Sequence, residues 1–145
     1  MRKWIFASIA LLITAIASAE SSPEGLWMSF DDDGNTPTAL VRITKSNNRY
    51  SGRIEKILDP KTSPESICSK CSDDRKNQPL IGLEIIKDAK VGAQSGQWRD
   101  GKILDPDDGQ EYKLIMSLQD NGRLLEVKGY WGLFWRTQHW QKQIN

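Results

Sequence analysis

The chain has 145 residues, with 20 basic and 19 acidic side chains, one histidine and two cysteines. A formal charge of +1 leaves no electrostatic footprint for a nucleic-acid backbone, and that class of partner is excluded. One histidine and two cysteines fall short of the usual four-ligand zinc set, so no metal or cofactor is expected.

Residues 1–19 read as a secretory signal peptide. Arg2 and Lys3 precede an apolar run from Trp4 to Ile16, and Ala17-Ser18-Ala19 is the small-x-small pattern of a cleavage site. The expected cut lies between Ala19 and Glu20. The run is shorter than the ~20 residues of a membrane-spanning helix, and no later stretch is apolar enough to span. The product is therefore expected to be exported, to the periplasm of a two-membrane bacterium. Without its first 19 residues the chain keeps 126, enough for one domain over 20–145. Losing Arg2 and Lys3 leaves 18 basic against 19 acidic side chains, a net charge near −1.

Short alternating runs bounded by Gly, Pro, Asn and Asp predict antiparallel strands rather than helices. In chain order they fall near 25–30, 38–45, 49–58, 80–87, 95–99, 101–105, 110–119, 122–131 and 134–142. Asp31 to Asn35, Ser46-Asn47-Asn48 and Asp120-Asn121-Gly122 supply the turns, because Asn and Gly tolerate positive φ. Tyr112, Leu114, Met116 and Leu118 form a dry face, continued after the Asn-Gly turn by Leu125, Val127, Gly129 and Trp131. Lys56-Ile57-Leu58-Asp59-Pro60 recurs as Lys102-Ile103-Leu104-Asp105-Pro106, one strand-exit solution used twice. Residues 59–79 carry three prolines and predict a long surface loop or lid. Aromatic strands at both ends suit the closure of an all-β, up-and-down barrel, with a sandwich as the alternative.

The segments Gly25-Leu26-Trp27, Gly52-Arg53-Ile54, Pro79 to Leu83, Gly101 to Gly109 and Gly129-Tyr130-Trp131-Gly132, with Arg136 to Trp140, resemble the exported bacterial proteins grouped as domain of unknown function 2147. The likeness runs over roughly 24–142. It implies a lipocalin-like, or calycin, barrel of about eight strands and carries no established activity. Within it, lipocalins begin with Gly-x-Trp and lay an arginine of the last strand over that tryptophan. Trp27 and Arg136 would fill those roles as a plug at the closed end, through a cation–π contact.

Three chemistries compete at Cys68-Ser69-Lys70-Cys71. A local disulfide is the ordinary fate of two thiols outside the cytoplasm and is favoured. A redox dithiol lacks the βαβ context, and zinc lacks ligands. His139, alone in the last strand with no nucleophile elbow in the chain, reads as a half-buried structural histidine. Asp31 to Asn35 and Asp105 to Gly109 read as turns rather than calcium loops, since neither has the later bidentate glutamate. The five tryptophans after the leader either fill the core or line a cavity. Trp98, Tyr112, Trp131, Phe134 and Trp135 are the candidate ligand contacts, and Leu133 to Trp135 form an apolar turn.

The first reading is an exported module that binds a small apolar or amphipathic ligand in the barrel mouth. The alternative is a filled barrel that docks an envelope protein through the apolar turn or the cysteine loop. A carboxylate- or dithiol-based enzyme ranks third, because no nucleophile, base and orienter can be assembled.

Overall fold

The computed structural model describes residues 21–144, so the proposed cleavage site between Ala19 and Glu20 lies outside the described residues. Eight strands follow in order: β1 (Gly25–Phe30), β2 (Pro37–Ser46), β3 (Arg49–Ile57), β4 (Glu84–Val91), β5 (Gln97–Asp105), β6 (Gln110–Gln119), β7 (Leu124–Trp131) and β8 (Phe134–Gln143). Each pairs with its sequence neighbours, and β8 returns to β1, giving a closed antiparallel up-and-down barrel. Among the described residues there is no α-helix, and no helix is long and apolar enough to cross a membrane.

Turn chemistry sets the register. Asn47 and Asn48 both adopt positive φ (50° and 58°), the two-residue geometry that matches the twist of a hairpin. Asp120, Asn121 and Gly122 do the same between β6 and β7. That hairpin pairs Leu118 with Leu125, Met116 with Val127 and Leu114 with Gly129, so the predicted dry face is continuous across it.

Two predicted strands differ. The expected break at Asp100 is a bulge within one strand, β5, where Asp100 takes φ 62° and Gly101 follows. A Cβ on Gly101 would lie 2.8 Å from the Ala89 backbone of β4, so glycine is needed where the bulge presses the strands together. The strand expected over 80–87 starts only at Glu84 and runs to Val91. Leu80 to Leu83 form a turn instead, closed by Leu83 N–H donating to Leu80 C=O at 3.1 Å and docked on Ile54 of β3.

The barrel is filled unevenly. Around the β2–β3 and β6–β7 turns its interior holds Trp27, Ile43, Tyr50, Trp98, Met116 and Leu125, all buried. Trp27 is fully enclosed, and its indole N–H donates to Pro23 C=O at 2.8 Å. The opposite end offers smaller inward groups, among them Thr38, Ala39 and Gly129, and stays open.

The long loop is a fixed strap, not a free lid. Cys68 and Cys71 are buried and disulfide-bonded, with Cα atoms 5.5 Å apart. Ile67 bridges Pro79, and Cys68 N–H donates to Gln78 C=O at 2.8 Å. Buried Arg75 ties the strap to the wall, bonding Asp73 (2.5 Å), Glu111 of β6 (2.7 Å) and the Glu84 carbonyl of β4 (3.0 Å).

Trp27→Ala is expected to lower stability by about 3–5 kcal/mol, the range for truncating an enclosed aromatic, read from urea midpoints. The Arg75 guanidinium holds the Asp73 carboxyl down to about 2, below its ordinary 3.8. This lowered value contributes stability that is present above pH 4 and lost as pH falls toward 2. Asp73→Asn should therefore flatten the loss of urea midpoint between pH 4 and pH 2.

Candidate functional site

The open end is a cavity of about 380 Å³, within the ~300–1,000 Å³ of small-molecule sites. Its depth is walled by Val41, Ile54, Ile103 and Val127, which alternate inward along β2, β3, β5 and β7. Trp140 and Gln138 of β8 lie lower, with the Trp140 indole N–H donating to Gln138 Oε1 at 3.0 Å. Phe30, Tyr112, Trp131, Phe134 and Trp135 bring aromatic rings to the mouth. Trp131, Phe134 and Trp135 are about two-thirds exposed or more, at 68%, 72% and 66%, and Leu133 beside them is 90% exposed.

The polar groups of the mouth come from strand ends. Arg136, inward on β8, pairs with Asp32 at 2.5 Å and with Asp105 at 3.0 Å. Burial works against the guanidinium charge, and these two carboxylates more than offset it. Asp31, Asp59 and Asp107 complete the acidic lining. Partial burial and the neighbouring Asp105 push the Asp107 carboxyl up from its ordinary value. Tyr112 donates its hydroxyl to Asp108 at 2.6 Å, and this bond raises the phenol to about 12.

Four of the five predicted ligand contacts, Tyr112, Trp131, Phe134 and Trp135, come together here. Trp98 does not. It lies in the filled end, 2% exposed, edge-on to Tyr50 with ring centroids 5.9 Å apart. Its indole N–H has no hydrogen-bond partner among the described residues.

The predicted plug is half corrected. Trp27 does close the filled end, but Arg136 is not over it. Lys142 is, with Nζ 4.6 Å from the ring centroid and also donating to the Glu24 carbonyl. Register explains the exchange. Trp27 pairs with Lys142, and Arg136 stands six residues away along β8, about 20 Å at ~3.3 Å per residue. Both face inward, toward opposite ends.

His139 is half-buried on the outer face of β8, with Nε2 3.5 Å from Glu126. The Asp31–Asn35 segment is a self-closed turn. The Asp33 carboxylate accepts from the Thr36 hydroxyl at 2.6 Å and from the Thr36 and Asn35 N–H groups, which lower its pKa. Asp105 and Asp108 likewise accept backbone N–H bonds from Asp107 and Gln110. Among the described residues no group of three His, Cys, Asp or Glu side chains is placed to hold a metal.

Sequence reasoning missed the acidic rim. A signal for it existed: the two Lys-Ile-Leu-Asp-Pro copies end β3 and β5 at the same end of the barrel. Each sends its isoleucine (Ile57, Ile103) and its aspartate (Asp59, Asp105) into the mouth.

A closed eight-stranded barrel with one filled end and one apolar, open end defines a lipocalin-like protein, an architecture compatible with ligand binding. The chain is similar in structure to protein HP1028 from the human pathogen Helicobacter pylori, which is described as belonging to the lipocalin family. The TM-score is 0.72 at 16% sequence identity, covering 86% of this chain and 84% of that one. No curated protein matches the chain. The chain belongs to the DUF2147 family of uncharacterized proteins conserved in bacteria, whose sequence profile matches residues 25–142.

In a spectrophotometric titration of tyrosinate absorbance, one phenol should ionise near pH 12, and Tyr112→Phe should remove that transition.

Proposed function

We propose that this protein is an exported, periplasmic binding module for a small amphipathic ligand. The observation that carries the reading is the uneven filling of the barrel. Large side chains close one end, while small inward groups leave an apolar cavity of about 380 Å³ at the other. The leader-like residues 1–19 and a disulfide in the strap support a site of action outside the cytoplasm. The ligand's apolar body sits against Val41, Ile54, Ile103 and Val127, and its polar end faces the charged rim. Burying apolar area at ~25 cal/mol per Å² supplies the affinity, and the rim sets orientation.

A second reading has its own observation. Trp131, Leu133, Phe134 and Trp135 form an exposed apolar hairpin tip that fits docking on another envelope protein. In the carrier reading the same tip forms one lip of the mouth.

N-phenyl-1-naphthylamine, a neutral apolar fluorophore, should bind the purified protein one to one with a rise in emission. Ala39→Trp places an indole in the cavity and should reduce that binding at least tenfold without lowering the melting temperature. Unchanged binding by this folded variant would remove the cavity from consideration.

A further inference from the structure

We infer that the cavity selects ligands with a cationic head, an amine or quaternary ammonium on an apolar body. This deepens the carrier reading and rests on it. The cavity and its aromatic lip make the site; the charges around it decide the sign of the occupant.

Among the described residues five charged ones line the cavity: Asp31, Asp59, Asp105, Asp107 and Arg136. The single cation among them is already matched, because Arg136 holds Asp105 and, just outside the lining, Asp32. An anionic head would find no free guanidinium and would face surplus carboxylates. Asp31 and Asp59 are partly satisfied by local N–H groups and, for Asp59, the Thr62 hydroxyl, so they set a background of negative potential rather than specific bonds. Asp107 sits in the lining with Asp105 and Asp108 as like-charged neighbours, and with Lys70 and Arg136 as the cations that act against them. Lys70 is exposed and lies outside the cavity lining. A ligand cation here offsets the burial and the Asp105 and Asp108 charges that act on the Asp107 carboxylate.

Aromatic chemistry points the same way. Tyr112, Trp131, Phe134 and Trp135 share the lip with these carboxylates, and ring faces attract ammonium groups, quaternary ones included. The Tyr112 hydroxyl, spent on Asp108, leaves its ring as the surface that a ligand meets. Rings and carboxylates together favour a cation over a neutral head and reject an anion.

The test uses three probes with one ten-carbon tail: decyltrimethylammonium, decanol and decanoate, each below its micelle concentration. Each competes with N-phenyl-1-naphthylamine for the full exported chain. Decyltrimethylammonium should compete about tenfold better than decanol, with decanoate weakest, and the spread should shrink in 0.5 M salt. Asp107→Asn should lower the ratio of cation to alcohol affinity several-fold. Asp105→Asn frees one face of Arg136 and should raise decanoate relative to the other two. Equal affinities, or decanoate ahead, would overturn the charge inference and leave the carrier reading standing. Failure of the fluorophore itself to bind would overturn both.

Discussion

Closure between β1 and β8 rests on three residue pairs, Leu26 with Gln143, Trp27 with Lys142 and Met28 with Gln141. β3 and β4 also share three pairs, but bulges break that ladder, whereas the β1–β8 ladder is continuous. Unpaired, β1 and β8 would each expose a row of backbone donors and acceptors, and the sheet would open. The middle pair explains how so short a seam holds. Trp27 fills the interior directly beneath it, its N–H is satisfied by Pro23, and Lys142 lies across its face. The cation there is partly desolvated, which lowers its pKa, but it has the Glu24 carbonyl as an acceptor. One aromatic residue thus joins the chain's two ends and fixes which side chains of β8 point inward.

Everything at the mouth follows from that register. With Lys142 inward, the period of two forces Trp140, Gln138, Arg136 and Phe134 inward as well. The strand therefore changes character along its length, from a cation that closes the barrel to a cation that borders its opening. A one-residue slip would turn His139 and Thr137 inward and expose Trp140. The filled end needs large groups, and Trp27, Tyr50, Trp98 and Met116 provide them. The open end is open because Thr38, Ala39 and Gly129 occupy equivalent inward positions.

Much of this was legible in residues. Asn47-Asn48 and Asn121-Gly122 announced their hairpins through tolerance of positive φ, and the alternation from Tyr112 to Trp131 announced a continuous dry face. The aromatic ends announced closure. What failed to show was long-range or conformational. Asp100 reads as a strand break because aspartate favours turns, yet a bulge absorbs it once Gly101 lets β4 approach. The likeness to lipocalins implies Arg136 over Trp27, and only the β1–β8 pairing reveals that Lys142 is the residue opposite. Trp98 and Trp131 are equally aromatic in sequence. Their separation into filled end and lip depends on strand direction around the barrel.

The rim has a different logic from the core. Inward charges on a barrel wall lose hydration, and each must recover it from a partner. Lys142 and Arg136 both do so, one with a carbonyl and a ring, the other with two carboxylates. The acidic groups do not balance in the same way: four aspartates share the lining with one arginine. A fold selected for stability alone would not concentrate like charges around an apolar opening, where burial and mutual repulsion push the Asp107 carboxyl up. Two copies of one pentapeptide end there, each delivering an isoleucine to the wall and an aspartate to the rim. Local rules are usually broken where a site is built, and this imbalance coincides with the one end of the barrel that its own side chains leave unfilled.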